Sequence, residues 1–213
     1  MDATPTALRL DRTRGLLTDE AGRCFDPVAR RWSGTAPAGS AGAPLDLPAV
    51  LAWLQRESGT PCRIPVAVIG GRDATPPQCA MAEAVGAGLA RLGLTMICGG
   101  REGVMEAACR GVARAGGLAV GLLPDEGWDS ANPYVGLPIA TGLGPARNAV
   151  IARAALALVA IGGGTGTLSE VAFGLQFGRP VFGLEGAPAV EGVVMLPGWP
   201  ALEPEICRVV LAL

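Results

Sequence analysis

Nine residues, Gly162 to Glu170, read GGGTGTLSE directly after the apolar run Ala154 to Ile161. A buried strand that empties into such a turn lets backbone N–H groups approach an anion closely, because glycine has no Cβ in the way. A helix starting there adds the positive end of its dipole. The chemistry expected of Gly162, Gly163, Gly164, Thr165, Gly166 and Thr167 is therefore the holding of a phosphate-sized anion. The turn is not a P-loop, whose last glycine is followed by Lys, since the chain contains no lysine. It does not fit the spacing G-x-G-x-x-G either.

Three arginines stand close behind other glycine turns: Arg72 after Gly70-Gly71, Arg101 after Gly99-Gly100, and Arg147 after Gly142 and Gly144. A guanidinium binds phosphate or carboxylate with two parallel hydrogen bonds. Brought to one edge, the three would favour an anionic ligand; spread over the surface, they would be ordinary solvated arginines. Glu170 also has two readings. It can be a reactive carboxylate, or the last residue of a Thr167-x-x-Glu170 capping box that satisfies backbone N–H groups at a helix start. Glu106 is either a contact to a ribose hydroxyl or an acid favoured by a helix dipole. Tyr134 is either a stacking partner for a base or a packed loop aromatic.

Composition removes whole reaction classes. Without histidine or lysine there is no Ser-His-Asp triad, no His metal ligand and no Schiff-base lysine for pyridoxal phosphate. The six cysteines contain no C-x-x-C pair, so neither a zinc site nor a disulfide framework is suggested. All 17 basic residues are arginine against 19 acidic ones, which gives no broad basic patch for nucleic acid. No signal peptide and no apolar run of the ~20 residues that span a bilayer is seen. The expectation is a cytoplasmic protein with no membrane or nucleic-acid partner and no metal.

The elements that must position these residues alternate from Ile64 onward. Apolar strands are expected at Ile64 to Ile69, Leu94 to Cys98, Leu118 to Leu122, Leu137 to Thr141, Ala155 to Ile161 and Pro180 to Leu184, with amphipathic helices between. Near-continuous apolar strands separated by helices mean a mostly parallel sheet covered on both faces. The fold class is a doubly wound, Rossmann-like α/β domain over residues 61–213, in which every strand-to-helix turn lies on the carboxyl edge. Residues 1–60 read as an N-terminal extension: a small antiparallel hairpin or meander, a linker at Thr35 to Pro44, and a helix capped by Asp46.

Three segments together, GGREGVMEAA (Gly99 to Ala108), GLGPARNAVIARAA (Gly142 to Ala155) and AIGGGTGTLSEVAFGLQFGRPVFGL (Ala160 to Leu184), resemble the Rossmann-like superfamily of the Lonely Guy phosphoribohydrolases. They are more similar still to its bacterial branch that includes the molybdenum-cofactor carrier proteins. The Lonely Guy signature is PGGxGTxxE; Gly163, Gly164, Gly166, Thr167 and Glu170 match it, and Gly162 stands in place of the proline. The resemblance implies that Glu170 and Arg147 correspond to the enzymes' catalytic pair. It also implies that Asn148 stands where those enzymes carry Lys, and GVMEAA where they carry G-L-M-G, which favours the carrier-like branch.

The expected ligand-binding set is Gly70, Gly71, Arg72, Gly99, Gly100, Arg101, Gly103, Glu106, Thr141, Gly142, Arg147, Asn148 and the turn from Gly162 to Thr167, with Glu170. Three functions stay open. The first is a binding protein for a phosphorylated nucleotide-like or pterin-phosphate ligand such as molybdenum cofactor, with no cofactor required. The second is a phosphoribohydrolase that cleaves the N-glycosidic bond of a nucleoside 5′-monophosphate through Glu170 and Arg147. The third is a non-catalytic structural or interaction protein. A homodimer or homotetramer is expected, with the apolar C-terminal segment Ile206 to Leu213 as support.

Overall fold

The computed structural model describes residues 7–38, 40 and 42–213. The first six residues of the expected extension, and Gly39 and Ala41 of the expected linker, lie outside the described residues. The chain forms two compact units, one from Met1–Cys62 with Pro204–Leu213 and one from Arg63–Glu203.

The first unit carries an antiparallel sheet of β1 (Leu8–Asp11), β2 (Leu16–Thr18), β3 (Cys24–Asp26), β4 (Arg31–Ser33) and β5 (Ala43–Leu45), in the order β4-β3-β2-β1-β5. Leu8, Leu10, Leu17 and Phe25 are buried, as the alternation of a half-covered strand requires. The expected antiparallel meander is present, larger than foreseen, and the expected linker is corrected. β4 was hidden among charged turn residues, and β5 lies in the Gly/Pro-rich stretch, where Ala43 and Pro44 pair with Leu10 and Arg9. Pro44 is tolerated because β5 is an edge strand, with no neighbour beyond it to receive the missing N–H. Helix α1 (Leu47–Arg56) starts as expected, with the Asp46 carboxylate accepting from the N–H of Ala49 at 2.8 Å and Val50, Leu51 and Leu54 buried.

The second unit is a seven-stranded sheet in the order β12-β11-β10-β6-β7-β8-β9, parallel throughout. Its strands are β6 (Val66–Gly70), β7 (Met96–Cys98), β8 (Ala119–Leu123), β9 (Leu137–Ala140), β10 (Leu158–Ile161), β11 (Val181–Leu184) and β12 (Val193–Met195). β12 was not legible, being three half-exposed residues on the sheet's edge. Every residue of β6, β7, β10 and β11 is buried. Helices α2 (Pro76–Arg91), α3 (Val104–Arg114), α4 (Arg147–Ala154) and α5 (Thr165–Gln176) connect the strands, with α2 packed on α3 and α4 on α5.

Chain order runs outward from β6 through β7, β8 and β9 on one side and from β10 through β11 to β12 on the other. The two directions part between β6 and β10, where Gly70 pairs with Ile161. At such a switch point the turns leaving neighbouring strands diverge to opposite faces and open a crevice beyond their carboxyl ends. The GGG turn leaves β10 at that place.

Helix α6 (Trp199–Leu211) ends the chain. Arg30 donates to the carbonyls of Val209 and, at 3.1 Å, Val210, and the Trp32 indole N–H donates to that of Leu211 at 2.7 Å. These bonds occupy carbonyls that a helix end leaves open. Ile206, Cys207, Val210 and Leu211 are fully buried within the single chain. Most of the apolar side chains on which the expected oligomer drew are thus already covered, although Leu213 stays 42% exposed.

Candidate functional site

A crevice of about 890 Å³ opens at the switch point, within the 300–1,000 Å³ common for small-molecule sites. Its floor is the pair of turns that leave β6 and β10. Gly70, Gly71 and Arg72 come from the first, and Gly163, Gly164, Thr165, Gly166, Thr167 and Glu170 from the second. Arg101 reaches it from the β7 turn, and Arg147 and Asn148 from the start of α4. The three arginines set apart by their spacing thus meet at one crevice.

The glycine turn earns its composition at Gly163. Its φ of 109° lies where L side chains are strained, and a Cβ there would fall 2.2 Å from Thr167 Oγ1. Helix α5 then begins at Thr165 with Gly164 as its N-cap and no side-chain cap. The first N–H groups of a helix lack intrahelical acceptors, so this turn presents donors and a dipole end to the crevice. Thr167 is consequently the third residue of the helix and not its cap, which corrects the capping-box reading. Glu170 is freed from that task and lies one turn further along, toward Arg147.

Asn148 braces the same turn. Its amide donates to Ser169 Oγ at 2.9 Å and to the Gly166 carbonyl at 3.3 Å, and Ser169 donates to that carbonyl at 2.6 Å. The start of α4 is thereby tied to the first turn of α5.

Arg147 follows a single 3-10 turn, Gly144–Ala146, and its guanidinium packs against Gly99 of the β7 turn. A Cβ at Gly99 would sit 2.2 Å from Arg147 Nη1, so only glycine admits the guanidinium here. Arg147 and Glu170 are 9% and 6% exposed, and Nη1 stands 3.8 Å from Glu170 Oε1. That is an ion pair without a hydrogen bond. Nε and Nη1 of Arg147 find no hydrogen-bond partner among the described residues. Burial pulls the Arg147 guanidinium below its usual range, opposed by the charge of Glu170. Burial also pushes the Glu170 carboxyl up to about 7, with Arg147 pulling the other way. Desolvation outweighs attraction at both ends, so the pair does not satisfy itself. Buried N–H groups without an acceptor are rare in folded proteins, and they mark Arg147 as underpaired.

Arg101 is matched differently. Its Nη1 donates to Asp125 Oδ2 at 2.9 Å, and Ser130 Oγ donates to the same oxygen at 2.5 Å. Asp125 lines the crevice with Pro124, so this carboxylate and the Arg101 guanidinium meet at its wall as a pair.

Several expected residues do not reach the crevice surface. Gly99 lies beneath Arg147, and Gly100 donates to Cys98 Sγ at 3.3 Å. Gly103 is the N-cap of α3, and Glu106 sits in that helix's first turn, a place the dipole favours. Thr141 donates to the Leu123 carbonyl at 2.7 Å, and the Gly142 N–H to that of Asp125 at 3.0 Å. Gly162 is covered by the Gln78 amide. Tyr134 packs under the Arg110 guanidinium, 5.9 Å from the ring centre, and is not among the lining residues. Conversely, Asp73, Thr75, Gln78, Met105, Asp125 and Pro145 line the crevice without having been singled out. Thr75 and Gln78 had a readable signal: T-P-P-Q is a capping box, formed with the Thr75 hydroxyl accepting at 3.4 Å and the Gln78 carbonyl oxygen accepting at 3.0 Å. Asp125 had only its place after β8.

Among the described residues no cluster of three or more His, Cys, Asp or Glu is arranged to hold a metal, and no helix is long and apolar enough to cross a membrane.

The same fold recurs in solved structures. The molybdenum cofactor binding protein of the phototrophic bacterium Rippkaea orientalis is 33% identical, with a TM-score of 0.62, over 70% of this chain and 96% of that one. The Moco carrier protein of Chlamydomonas reinhardtii is 32% identical, with a TM-score of 0.63, over 71% and 100%. An uncharacterized protein of Archaeoglobus fulgidus is 38% identical over 128 residues, 60% of this chain and 84% of its own length. The model of the SLOG cluster4 family matches residues 63–197, which hold both the parallel sheet and the crevice. On that match the chain belongs to the SLOG cluster4 family.

Proposed function

We propose that the crevice binds a phosphorylated small molecule bearing a heterocyclic ring, a nucleotide-like or pterin-phosphate compound such as molybdenum cofactor, and holds it as a carrier does. The observation that carries this is the convergence of the open first turn of α5 and the buried, underpaired guanidinium of Arg147 on one crevice at the sheet's switch point. A phosphate placed there accepts from the N–H groups of the α5 turn and brings negative charge to a guanidinium that Glu170, 3.8 Å away, leaves underpaired. No cysteine lines the crevice; a molybdenum-bearing pterin would be gripped through its phosphate and ring and not through its metal. The likeness to molybdenum cofactor carriers supports the reading. The expected setting is the cytoplasm, with neither a membrane nor nucleic acid as partner, and the site needs no resident cofactor.

One observation favours a second reading. A carboxyl at about 7 beside a guanidinium is suited to proton transfer near neutral pH. In a phosphoribohydrolase Glu170 would orient water and stabilise the oxocarbenium-like sugar, while Arg147 held the phosphate or the leaving base. The products from AMP would be adenine and ribose 5-phosphate.

Incubation of concentrated protein with AMP, followed by chromatography of the bases, separates the two. The carrier reading expects no adenine; its steady release, abolished by Glu170→Gln, would replace that reading by the hydrolase. An interaction protein would be indicated if neither nucleotides nor pterin phosphates raised the melting temperature, since saturating ligand at about 100 times its Kd stabilises by ~2.7 kcal/mol.

A further inference from the structure

The three arginines of the crevice are held in different ways. Arg101 donates to Asp125 Oδ2 at 2.9 Å, so its charge is already matched within the wall. Arg147 is buried against Gly99 and stands 3.8 Å from Glu170. Arg72 lines the same crevice, is exposed, and makes neither an ion pair nor a hydrogen bond through its guanidinium among the described residues. Of the three, it is the one whose charge no carboxylate of the chain answers.

Its backbone, by contrast, is fixed on two sides. The Gly71 carbonyl accepts from the Val104 N–H at 3.1 Å, which ties the β6 turn to the start of α3. Gly103, at a φ of 70°, approaches so closely that a Cβ there would fall 2.1 Å from the Arg72 carbonyl oxygen, and only glycine permits that contact. On the other side a Cβ on Gly71 would lie 3.4 Å from Gly163 Cα. The residue before Arg72 thus packs on the glycine turn that leads into α5, whose first N–H groups are open. These contacts are all made by backbone, so the Arg72 side chain is left unused beside the anion-holding turn.

We propose that Arg72 is the outer clamp of the site: its guanidinium closes over a phosphate that the α5 turn holds from beneath, while its backbone stays locked between α3 and the glycine turn. A guanidinium meets a phosphate with two parallel hydrogen bonds, on a long stem that can move while its Cα does not. Asp73, the next residue, also lines the crevice and carries the opposite charge. The β6 turn therefore has no net charge with which to draw an anion from a distance, and its contribution lies in the contact made by the Arg72 fork. This assignment rests on the ligand-binding reading of the crevice.

Titration calorimetry of the full chain with GMP and with ribose 5-phosphate tests it, using wild type, Arg72→Gln and Arg72→Lys, with thermal denaturation of the same samples before ligand is added. Removal of charge-assisted bonds predicts about a tenfold to hundredfold loss of affinity for both compounds in the glutamine variant, since both carry the phosphate. The lysine variant keeps the charge without the fork and recovers only part of that loss. The melting temperature without ligand stays that of wild type in both variants, because the guanidinium has no partner until the phosphate arrives. Wild-type affinity in Arg72→Gln overturns the assignment while leaving the phosphate site standing. Full recovery in Arg72→Lys overturns the clamp in favour of simple attraction between charges. A lower melting temperature for ligand-free Arg72→Gln overturns it in favour of a structural role. Failure of wild type to bind either compound overturns the ligand-binding reading and this assignment with it.

Discussion

Arg147 and Glu170 face each other across 3.8 Å while more than nine-tenths buried, and no hydrogen bond joins them. A buried pair at good geometry offsets its desolvation; one held slightly apart does not. The underpairing explains both shifts at once, the guanidinium lowered and the carboxyl raised to about 7. It has a consequence for stability. Because the carboxyl in the folded chain titrates above its reference value of 4.5, the native state binds more protons than the unfolded state between the two values. Stability contributed by this group is therefore present in full below pH 4.5, falls as pH rises toward about 7 and is flat above. The size is roughly 3 kcal/mol. Urea denaturation of ligand-free protein at intervals from pH 5 to 8 should show this decline, and Glu170→Gln should remove it. A Gln variant with an unchanged pH profile would mean that another group titrates.

Gly99 is held to glycine by Arg147. In Gly99→Ala the new methyl meets the guanidinium at 2.2 Å and must displace it. The expected cost is about 1–3 kcal/mol in stability, as for other overpacked sites. Loss of a charge-assisted bond worth ~1.5–3 kcal/mol should weaken GMP binding about tenfold or more. Thermal denaturation and calorimetry on the same samples measure both; binding equal to wild type would show that the guanidinium is not used.

Asn148 is expected to act through α5 and not through the ligand. Asn148→Ala removes the bonds to Ser169 and Gly166, a loss of about 1–3 kcal/mol in a buried place. GMP should restore part of that stability by reordering the turn, so the ligand-induced rise in melting temperature should exceed that of wild type at saturating GMP. A variant as stable as wild type would remove Asn148 from this role.

The parallel sheet was legible because strands buried on both faces leave unbroken apolar runs, and β6 and β10 are such runs. The grouping of Arg72, Arg101 and Arg147 followed from topology alone: one edge collects every strand-to-helix turn. The start of α5 was misread because Gly164 and Gly166 look like continued turn, although glycine at the cap and in the first turn lets the helix begin at Thr165. β5 was concealed by its own Pro44. Asp125 carries no local pattern at all, and the hydrogen bonds that tie its loop to the β7 turn span 24 positions and more.

Native mass spectrometry of the purified chain, before and after incubation with GMP, tests the central claim most directly when wild type is compared with Arg147→Gln. The account predicts one phosphorus-containing, ring-bearing adduct per chain in wild type, and its loss from the variant while the circular dichroism spectrum is unchanged. An adduct that persists in Arg147→Gln, or a wild type that holds no phosphorylated compound under either condition, would contradict it.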